Sequence, residues 1–178
     1  GDCGNNSSNQ VNVKNAYRTY VGNNATDLWL LLGDNAYNAG LDAEYQSNFF
    51  NVYKADLLKN IMLFPTPGNH DYANDATRQD DHNIPYLANF TLPKNGECGG
   101  VASGKEEYYS FDYGDIHFIC LDSYGEENNK RFYDTTSAQT LWLKSDLAAN
   151  QRKWTIVFWH HPPYTMGSHN SDTESELV

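Results

Sequence analysis

Short apolar runs alternate with amphipathic stretches along the whole chain. Continuous apolar runs of strand length occupy residues 27–32, 61–66 and 153–159. Apolar positions at helical spacing predict helices over residues 9–22, 42–60 and 137–149. Strands, polar turns and helices thus follow one another in the order that is typical of an α/β layered fold with βαβ units.

The middle of the chain holds a polar excursion followed by a hairpin. Residues 73–104 are rich in Asn, Asp and Gly, and we expect little regular structure there. Residues 108–113 alternate between apolar and polar, residues 116–122 are more uniformly apolar, and Gly114-Asp115 between them is a turn signal. A chain of 178 residues is expected to form one domain.

Three of the apolar strands run straight into polar side chains. The first is followed by Asp34, the second by Asn69 and His70, and the last ends in His160. In layered α/β folds, ligands bind beyond the carboxyl ends of the strands. We therefore expect these strand ends to meet at one edge of the fold and to line one cleft.

The side chains expected at this edge are of the kind that binds metal ions. Two carboxylates, a phenol, an amide oxygen and an imidazole would meet there, from Asp2, Asp34, Tyr37, Asn69 and His160. Mixed oxygen and nitrogen ligands suit iron, zinc or manganese. Two metal ions about 3.5–4 Å apart can clamp a phosphate and generate a hydroxide nucleophile. A bridging carboxylate would hold two cations that close, and Asp34 is the candidate for it.

Charge and composition narrow the class of function. The net charge of −11 gives a surface that repels nucleic acid at long range, so a nucleic-acid-binding module is disfavoured. A small phosphorylated substrate fits if bound cations reverse the local field. No apolar run approaches the ~18 residues of a membrane span, and no signal peptide is visible. The three cysteines lack CxxC spacing and give no support to a zinc ribbon.

Four short blocks of this sequence resemble the calcineurin-like metallophosphoesterases. The blocks of that superfamily are D-x-G or D-x-H, G-D-x-x, G-N-H-[DE] and a histidine at a strand end. Here they read Asp2-Cys3-Gly4, Gly33-Asp34-Asn35-Ala36-Tyr37, Gly68-Asn69-His70-Asp71 and Val157-Phe158-Trp159-His160. The extended G-D-x-x-Y block, together with D-x-G and V-x-x-H, is similar to the purple acid phosphatases.

The resemblance implies a binuclear metal centre. On the family pattern, Asp2, Asp34 and Tyr37 would bind the first ion, an Fe(III), with Asp34 bridging. Asp34, Asn69 and His160 would bind the second ion, which would be Zn, Fe or Mn. A tyrosinate on Fe(III) is what colours the family.

The resemblance also implies two catalytic histidines on the substrate side. His70, next to Asn69, would contact the phosphate. The family places a further histidine nine residues after the strand-end ligand, and His169 stands at that distance from His160. A protonated imidazole there would stabilise the phosphoryl oxygens or protonate the leaving group. A metal-bound hydroxide would attack phosphorus in line.

Two features depart from the family pattern. The last block of the family, G-H-x-H, supplies one histidine to each metal ion and has no match here, and no strand precedes Asp2. Residues 1–178 are therefore expected to be a partial metallophosphoesterase catalytic domain. If the molecule ended here, each metal ion would lack a ligand and metal affinity would fall.

The leading functional hypothesis is a metal-dependent hydrolase of phosphate monoesters, of the acid-phosphatase type. The resemblance places such an enzyme in a secreted or periplasmic location, with a small phosphorylated substrate and no nucleic-acid or membrane partner. A phosphodiesterase or nucleotidase on the same fold remains an alternative. So does an inactive, truncated domain that acts as a binding or structural module.

The single positions also have plainer readings. Asp34 fits a strand-end turn, Asn69 fits a helix cap, and His169 fits a solvated loop. His82 and His117 belong to no motif, and we expect them on the surface or in the core. Only the four blocks in their order, each after a predicted strand, favour the metal site over these readings.

Overall fold

The computed structural model describes residues 1–166 and residue 172. The α-helical segments of this part of the chain are α1 Ser8–Val21, α2 Asp42–Glu44, α3 Asn51–Tyr53, α4 Ala76–Asp81, α5 Tyr86–Asn89 and α6 Ala138–Ala149. A π-helical turn, Tyr45–Phe50, joins α2 to α3. The strands are β1 Leu28–Leu32, β2 Met62–Thr66, β3 Tyr109–Tyr113, β4 Ile116–Cys120 and β5 Trp154–Phe158.

The strands form two sheets. β1 and β2 pair in parallel, from Leu28 opposite Met62 to Leu32 opposite Thr66. β3 and β4 form the predicted antiparallel hairpin, and β4 also pairs in parallel with β5. Parallel pairs whose strands are connected through helices confirm the predicted α/β class.

Aromatic side chains fill the space between the two sheets. Phe64 of β2 stacks on Phe111 of β3, with ring centroids 3.6 Å apart. The hydroxyl groups of Tyr86 and Tyr109 donate to the Pro65 carbonyl of β2, at 2.8 and 2.7 Å. Buried tyrosine hydroxyls need such partners. The two sheets therefore pack face to face, and polar bonds fix their relative position beside the strand ends.

The helical segments before β2 cover one side of β1. The ring of Trp29 in β1 lies 5.0 Å from the ring of Tyr53 in α3. The prediction of one helix over residues 42–60 is wrong in extent, because helical structure ends at Tyr53. The Asp56, Leu57 and Leu58 amides all donate to the Tyr53 carbonyl, so the regular ladder of helical hydrogen bonds does not continue.

The polar excursion over residues 73–104 carries more regular structure than predicted. The Asp75 carboxylate caps α4 by accepting from the Thr77 amide at 2.8 Å, and the helix ends at His82, which is left-handed with φ 53°. α5 follows and buries Tyr86 completely. Helices of six and four residues contain too few turns to produce a visible apolar period.

The two longest helices lie on the outside of the sandwich. α1 buries only Gln10, whose side-chain amide donates to the Asn48 carbonyl at 2.7 Å. α6 packs Trp142 against Tyr108 just before β3, with ring centroids 5.2 Å apart. Within residues 1–166, no helix combines the length and the apolar character that crossing a membrane requires.

Candidate metal centre

Asp34 lies where β1 turns away from its sheet. Gly33 and Asp34 both have left-handed backbone, with φ of 77° and 53°, and this turns the chain directly after the strand. Asp34 is only 3% exposed, and its Oδ1 accepts from the His70 amide at 3.0 Å. One carboxylate therefore joins the turn after β1 to the turn after β2.

Asp2 and Tyr37 form an oxygen cluster with Asp34. The Asp2 amide donates to the Gly33 carbonyl at 3.0 Å, which holds the first residues beside the end of β1. The Tyr37 hydroxyl lies 2.6 Å from Asp34 Oδ2 and also contacts Asp2 Oδ1. A phenol has one proton and cannot donate to two carboxylates at once. Two acidic groups thus share a single donor.

His160 and Asn69 form the other half of the cluster. His160 Nδ1 lies 2.8 Å from the Leu32 carbonyl, which can only accept, so Nδ1 carries a proton. In the neutral ring, Nε2 then presents a lone pair toward Asn69 Oδ1 at 3.1 Å and Asp34 Oδ1 at 3.4 Å. The Asn69 amide nitrogen donates to Asn74 Oδ1 at 2.6 Å, which explains why its oxygen faces the histidine.

The oxygen and nitrogen atoms of this cluster lie as close together as the ligands of a metal ion do. One ligand atom each from Asp2, Asp34 and His160 lies within 4.8 Å of the others. In the neutral His160 ring, Nε2 faces Asn69 Oδ1 and Asp34 Oδ1 as a third acceptor, while Asp34 Oδ1 also accepts from the His70 amide. Acceptors that face one another are costly unless a proton or a cation lies between them. The residues present therefore fit metal ions.

Two glycines allow the turns to approach this closely. A Cβ on Gly33 would lie 2.5 Å from the His160 ring, and a Cβ on Gly68 would lie 2.3 Å from Asp34 Oδ1. Both distances are too short for a carbon atom. Any side chain at these two positions would push the cluster apart, so glycine is required there by close approach.

Asp71 binds the turns that carry the cluster, although the sequence alone assigned it no role. It is completely buried and accepts from the Gly68 and Asn35 amides at 2.8 and 3.1 Å and from the Tyr45 hydroxyl at 2.5 Å. Burial raises the pKa of Asp71 to about 6, although these hydrogen bonds lower it. The sequence feature that could have indicated this role was the place of Asp71 in the G-N-H-D block, because a buried acid there has to bind the neighbouring turns.

His70 lies beside the cluster with a defined ring orientation. Its Nδ1 is 2.7 Å from the Asn38 carbonyl and 3.4 Å from the Asn74 amide nitrogen. The shorter contact is to an atom that only accepts, so Nδ1 carries the proton and Nε2 is the other ring nitrogen. The ring also packs 4.4 Å from the ring of Tyr37.

Comparison with known proteins identifies the family. The sequence model of the calcineurin-like phosphoesterase family matches residues 1–177. The chain belongs to the calcineurin-like phosphoesterase family. This match confirms the resemblance that the four blocks carried.

Curated relatives of this calcineurin-like phosphoesterase are purple acid phosphatases. Purple acid phosphatase 13 of Arabidopsis thaliana is 30% identical over 149 residues, which cover 80% of this chain and 25% of that protein. Purple acid phosphatase 15 of the same plant is 29% identical, with 80% and 29% covered. Tartrate-resistant acid phosphatase type 5 of Mus musculus is 26% identical, with 89% and 51% covered. The chain spans about a quarter to a half of the length of these relatives.

Family membership indicates what kind of group this cluster of side chains binds. The calcineurin-like phosphoesterase family and the purple acid phosphatase relatives imply a dinuclear metal centre. The structure brings Asp2, Asp34, Tyr37, Asn69 and His160 together at the ends of β1, β2 and β5. Their individual roles as ligands, and the identity of the metals, stay predictions.

The remaining histidines of this phosphoesterase are His82, His117, His161 and His169. His169 lies outside the described residues. His161 has its Nδ1 2.8 Å from Ser123 Oγ and its ring stacked on Tyr124, with centroids 5.9 Å apart, so packing holds it beside His160. His82 and His117 are partly or fully buried and form ion pairs with carboxylates away from the cluster.

Proposed function

We propose that this chain hydrolyses phosphate monoesters with two metal ions held at the strand-end cluster. The observation that carries the proposal is the convergence of ligand atoms from Asp2, Asp34 and His160 within 4.8 Å of one another, with Asn69 Oδ1 3.1 Å from His160 Nε2. Purple acid phosphatases among the relatives support the choice of reaction. The binuclear mechanism and the monoester substrate are our own extension of the family membership.

The cluster divides naturally into two ligand sets around one carboxylate. Asp34 Oδ2 faces Tyr37, which also contacts Asp2, while Asp34 Oδ1 faces His160. We propose that Asp2 and Tyr37 would hold a first ion, that Asn69 and His160 would hold a second, and that Asp34 would be shared between them. Following the family pattern, we propose Fe(III) for the first ion and Zn, Fe or Mn for the second.

Bound metal ions would supply Lewis-acid polarisation of a phosphoryl oxygen and activation of the attacking water. The protein itself orients the substrate. His70, with Nδ1 fixed on the Asn38 carbonyl, offers Nε2 as a hydrogen-bond donor to a phosphoryl oxygen when the ring is protonated. His169 is proposed, on the family spacing alone, to protonate the leaving oxygen.

The charge of the chain supports a requirement for cations. With a net charge of −11, the protein repels a phosphate dianion at long range, so binding needs positive charge at the site. We propose a small phosphorylated substrate, no nucleic-acid or membrane partner, and a secreted or periplasmic location, the last by family resemblance. No described feature bears on the oligomeric state.

The proposal is tested by comparing two aryl phosphates. We expect metal-dependent hydrolysis of p-nitrophenyl phosphate to exceed that of bis(p-nitrophenyl) phosphate by at least about tenfold, with loss of activity on chelation and recovery on metal addition. Faster hydrolysis of the diester would replace the monoesterase with a phosphodiesterase. Stoichiometric metal without hydrolysis of either ester would contradict the enzymatic proposal and favour a binding module.

A further inference from the structure

One carboxylate organises the segment between the cluster and α2. Glu44 accepts from the backbone amides of Asn38, Ala39 and Leu41, at 2.5, 2.9 and 3.0 Å. Burial raises the pKa of Glu44, but the three amides outweigh it and leave the pKa below its ordinary value. Carboxylates that accept several backbone N–H groups form strong, charge-assisted bonds. The backbone of residues 38–41 is thus wrapped around a single side chain.

This segment meets the candidate site at two points. Its preceding residue is Tyr37, whose hydroxyl belongs to the oxygen cluster. The carbonyl of Asn38 is the atom that binds His70 Nδ1, at 2.7 Å. The amide nitrogen and the carbonyl of Asn38 belong to one residue, so Glu44 on one side and His70 on the other hold the same short stretch of backbone.

The segment is also packed tightly against the turn that carries His70. A Cβ on Gly40 would lie 2.7 Å from the Asp71 carbonyl oxygen and 2.9 Å from the His70 carbonyl oxygen. The Asn48 side-chain amide donates to the Tyr37 carbonyl at 2.8 Å. A shift of the segment would therefore move the acceptor of the His70 ring, because little space exists to absorb it.

We propose that Glu44 is a positioning residue, which fixes the Asn38 carbonyl and thereby holds the His70 ring with its Nδ1–H on that carbonyl. Its kinetic consequence rests on the proposed function, whereas the state of the His70 ring does not. Glu44 does not belong to the strand-end cluster, and its three backbone contacts all lie in residues 38–41.

The test compares Glu44→Gln with Asp42→Asn. A glutamine offers one oxygen in place of two and sets an NH₂ group against an amide donor, so it cannot accept all three bonds. Asp42 lies on the same helical turn, and Asp42→Asn removes the same charge. In the hydrogen bonds described here, the Asp42 carboxylate binds the Asn89 side chain at 3.0 Å and contacts none of residues 38–41. The Glu44 charge also acts on His70, so Glu44→Asp, which keeps the charge and is one methylene shorter, separates loss of the backbone bonds from loss of charge.

Long-range ¹H–¹⁵N spectra of the histidine rings report the His70 tautomer without any substrate. We expect Nδ1–H in the wild-type protein and in Asp42→Asn, and a mixture of tautomers in Glu44→Gln, with a smaller change in Glu44→Asp. For p-nitrophenyl phosphate, kcat should fall about five- to tenfold in Glu44→Gln at unchanged metal content.

Two outcomes separate this inference from the proposed function. A change of tautomer in Glu44→Gln, absent in Asp42→Asn, supports the positioning role even if the wild-type protein hydrolyses no ester. In that case only the proposed function fails. An unchanged His70 tautomer in folded Glu44→Gln and Glu44→Asp overturns the positioning role, whatever the rates are.

Discussion

Two of the clusters of carboxylates and a histidine among the described residues differ in how their charges are matched. In the cluster on the β3-β4 hairpin, the two ring nitrogens of His117 lie 2.8 and 2.7 Å from Asp112 and Asp146. Asp112 also accepts from Arg152 at 2.9 Å, and Asp146 accepts from the Ser110 hydroxyl at 2.8 Å. Acids and donors alternate there, so the hairpin cluster is complete within the protein.

The strand-end cluster has the opposite balance. Asp2 and Asp34 share one tyrosine proton, and Nε2 of His160 faces two oxygen acceptors. A cavity of about 490 Å³ opens beside the hairpin cluster, where His117 and Asp146 line its wall. This cavity therefore lies beside the cluster in which acids and donors are matched. What distinguishes the two clusters is that only the strand-end cluster has an excess of acceptors, and this excess is what a metal ion would balance.

The largest expected effect is the loss of stability in His117→Gln. Asp146 has a side chain that is 0% exposed, and the variant would remove the imidazole nitrogen that lies 2.7 Å from this buried carboxylate. Leaving a buried carboxylate oxygen without a hydrogen-bond donor costs about 3 kcal/mol of unfolding free energy. Urea denaturation monitored by tryptophan fluorescence measures it. Metal bound per folded molecule should not change, and a loss of metal in this variant would erase the distinction between the clusters.

A second buried ion pair outside the site predicts a pH dependence of stability. Burial lowers the pKa of His82, but hydrogen bonds to the Glu107 carboxylate and the Glu126 carbonyl raise it from 6.5 to about 9. Tyr72 and Asp122 also lie around this imidazole. A raised pKa in the folded state stabilises the protein fully below about pH 6.5 and loses that stabilisation as the pH rises through about 9.

The free energy of unfolding should therefore fall by on the order of 3 kcal/mol between pH 6.5 and pH 9.5 because of His82. Chemical denaturation at half-unit steps of pH gives the curve. In His82→Gln this part of the slope should be absent, and the variant should be about equally stable at the two ends. A wild-type curve without the decline would show that the pair is not ionised as described.

Asp34→Asn tests the strand-end cluster. Replacing the central carboxylate by an amide removes a negative charge from the acceptor cluster and keeps its shape. We expect metal-dependent hydrolysis to fall by at least ~10²-fold, since even residues that only support metal ligands commonly contribute 10–100-fold. Rates on p-nitrophenyl phosphate at saturating metal measure this. Stability of the metal-free protein should stay the same or rise, because fewer acidic groups would repel one another.

Tyr37→Phe should have the smallest effect of the set. The ring keeps its packing against His70, 4.4 Å away, and only the hydroxyl is lost. With Fe(III) bound, we expect the visible absorption to disappear, metal affinity to fall by about tenfold, and hydrolysis to persist in part. Absorption spectra of the iron-loaded variant measure the first of these. A variant that remained coloured would remove Tyr37 from the ligand set.

The strands and their polar ends were predictable because both depend on local sequence. Apolar runs of strand length set the strand positions, and parallel strands bring their carboxyl ends to the same edge. The turn residues after β1 and β2 therefore came together as expected around Asp34 and Asn69. The family pattern added Asp2 and Tyr37, which no periodicity could have assigned.

The supporting residues were not predictable from the sequence, because their roles depend on neighbours that are distant in the chain. Asp71 binds a hydroxyl from Tyr45 and an amide from Asn35, 26 and 36 residues away. His117 was an isolated polar residue in an apolar strand until Asp146, 29 residues away, supplied its partner. The extent of the helix was also not predictable, since three amides share the Tyr53 carbonyl where α3 ends.

Metal content of three proteins tests the central claim most directly: wild type, Asp34→Asn and His117→Gln, each dialysed against trace iron, zinc and manganese and analysed by mass spectrometry. We predict metal approaching two ions per molecule in the wild-type protein and in folded His117→Gln, and a large loss in Asp34→Asn. Equal metal in wild type and Asp34→Asn, or metal lost only in His117→Gln, would contradict the assignment of the metal centre to the strand ends.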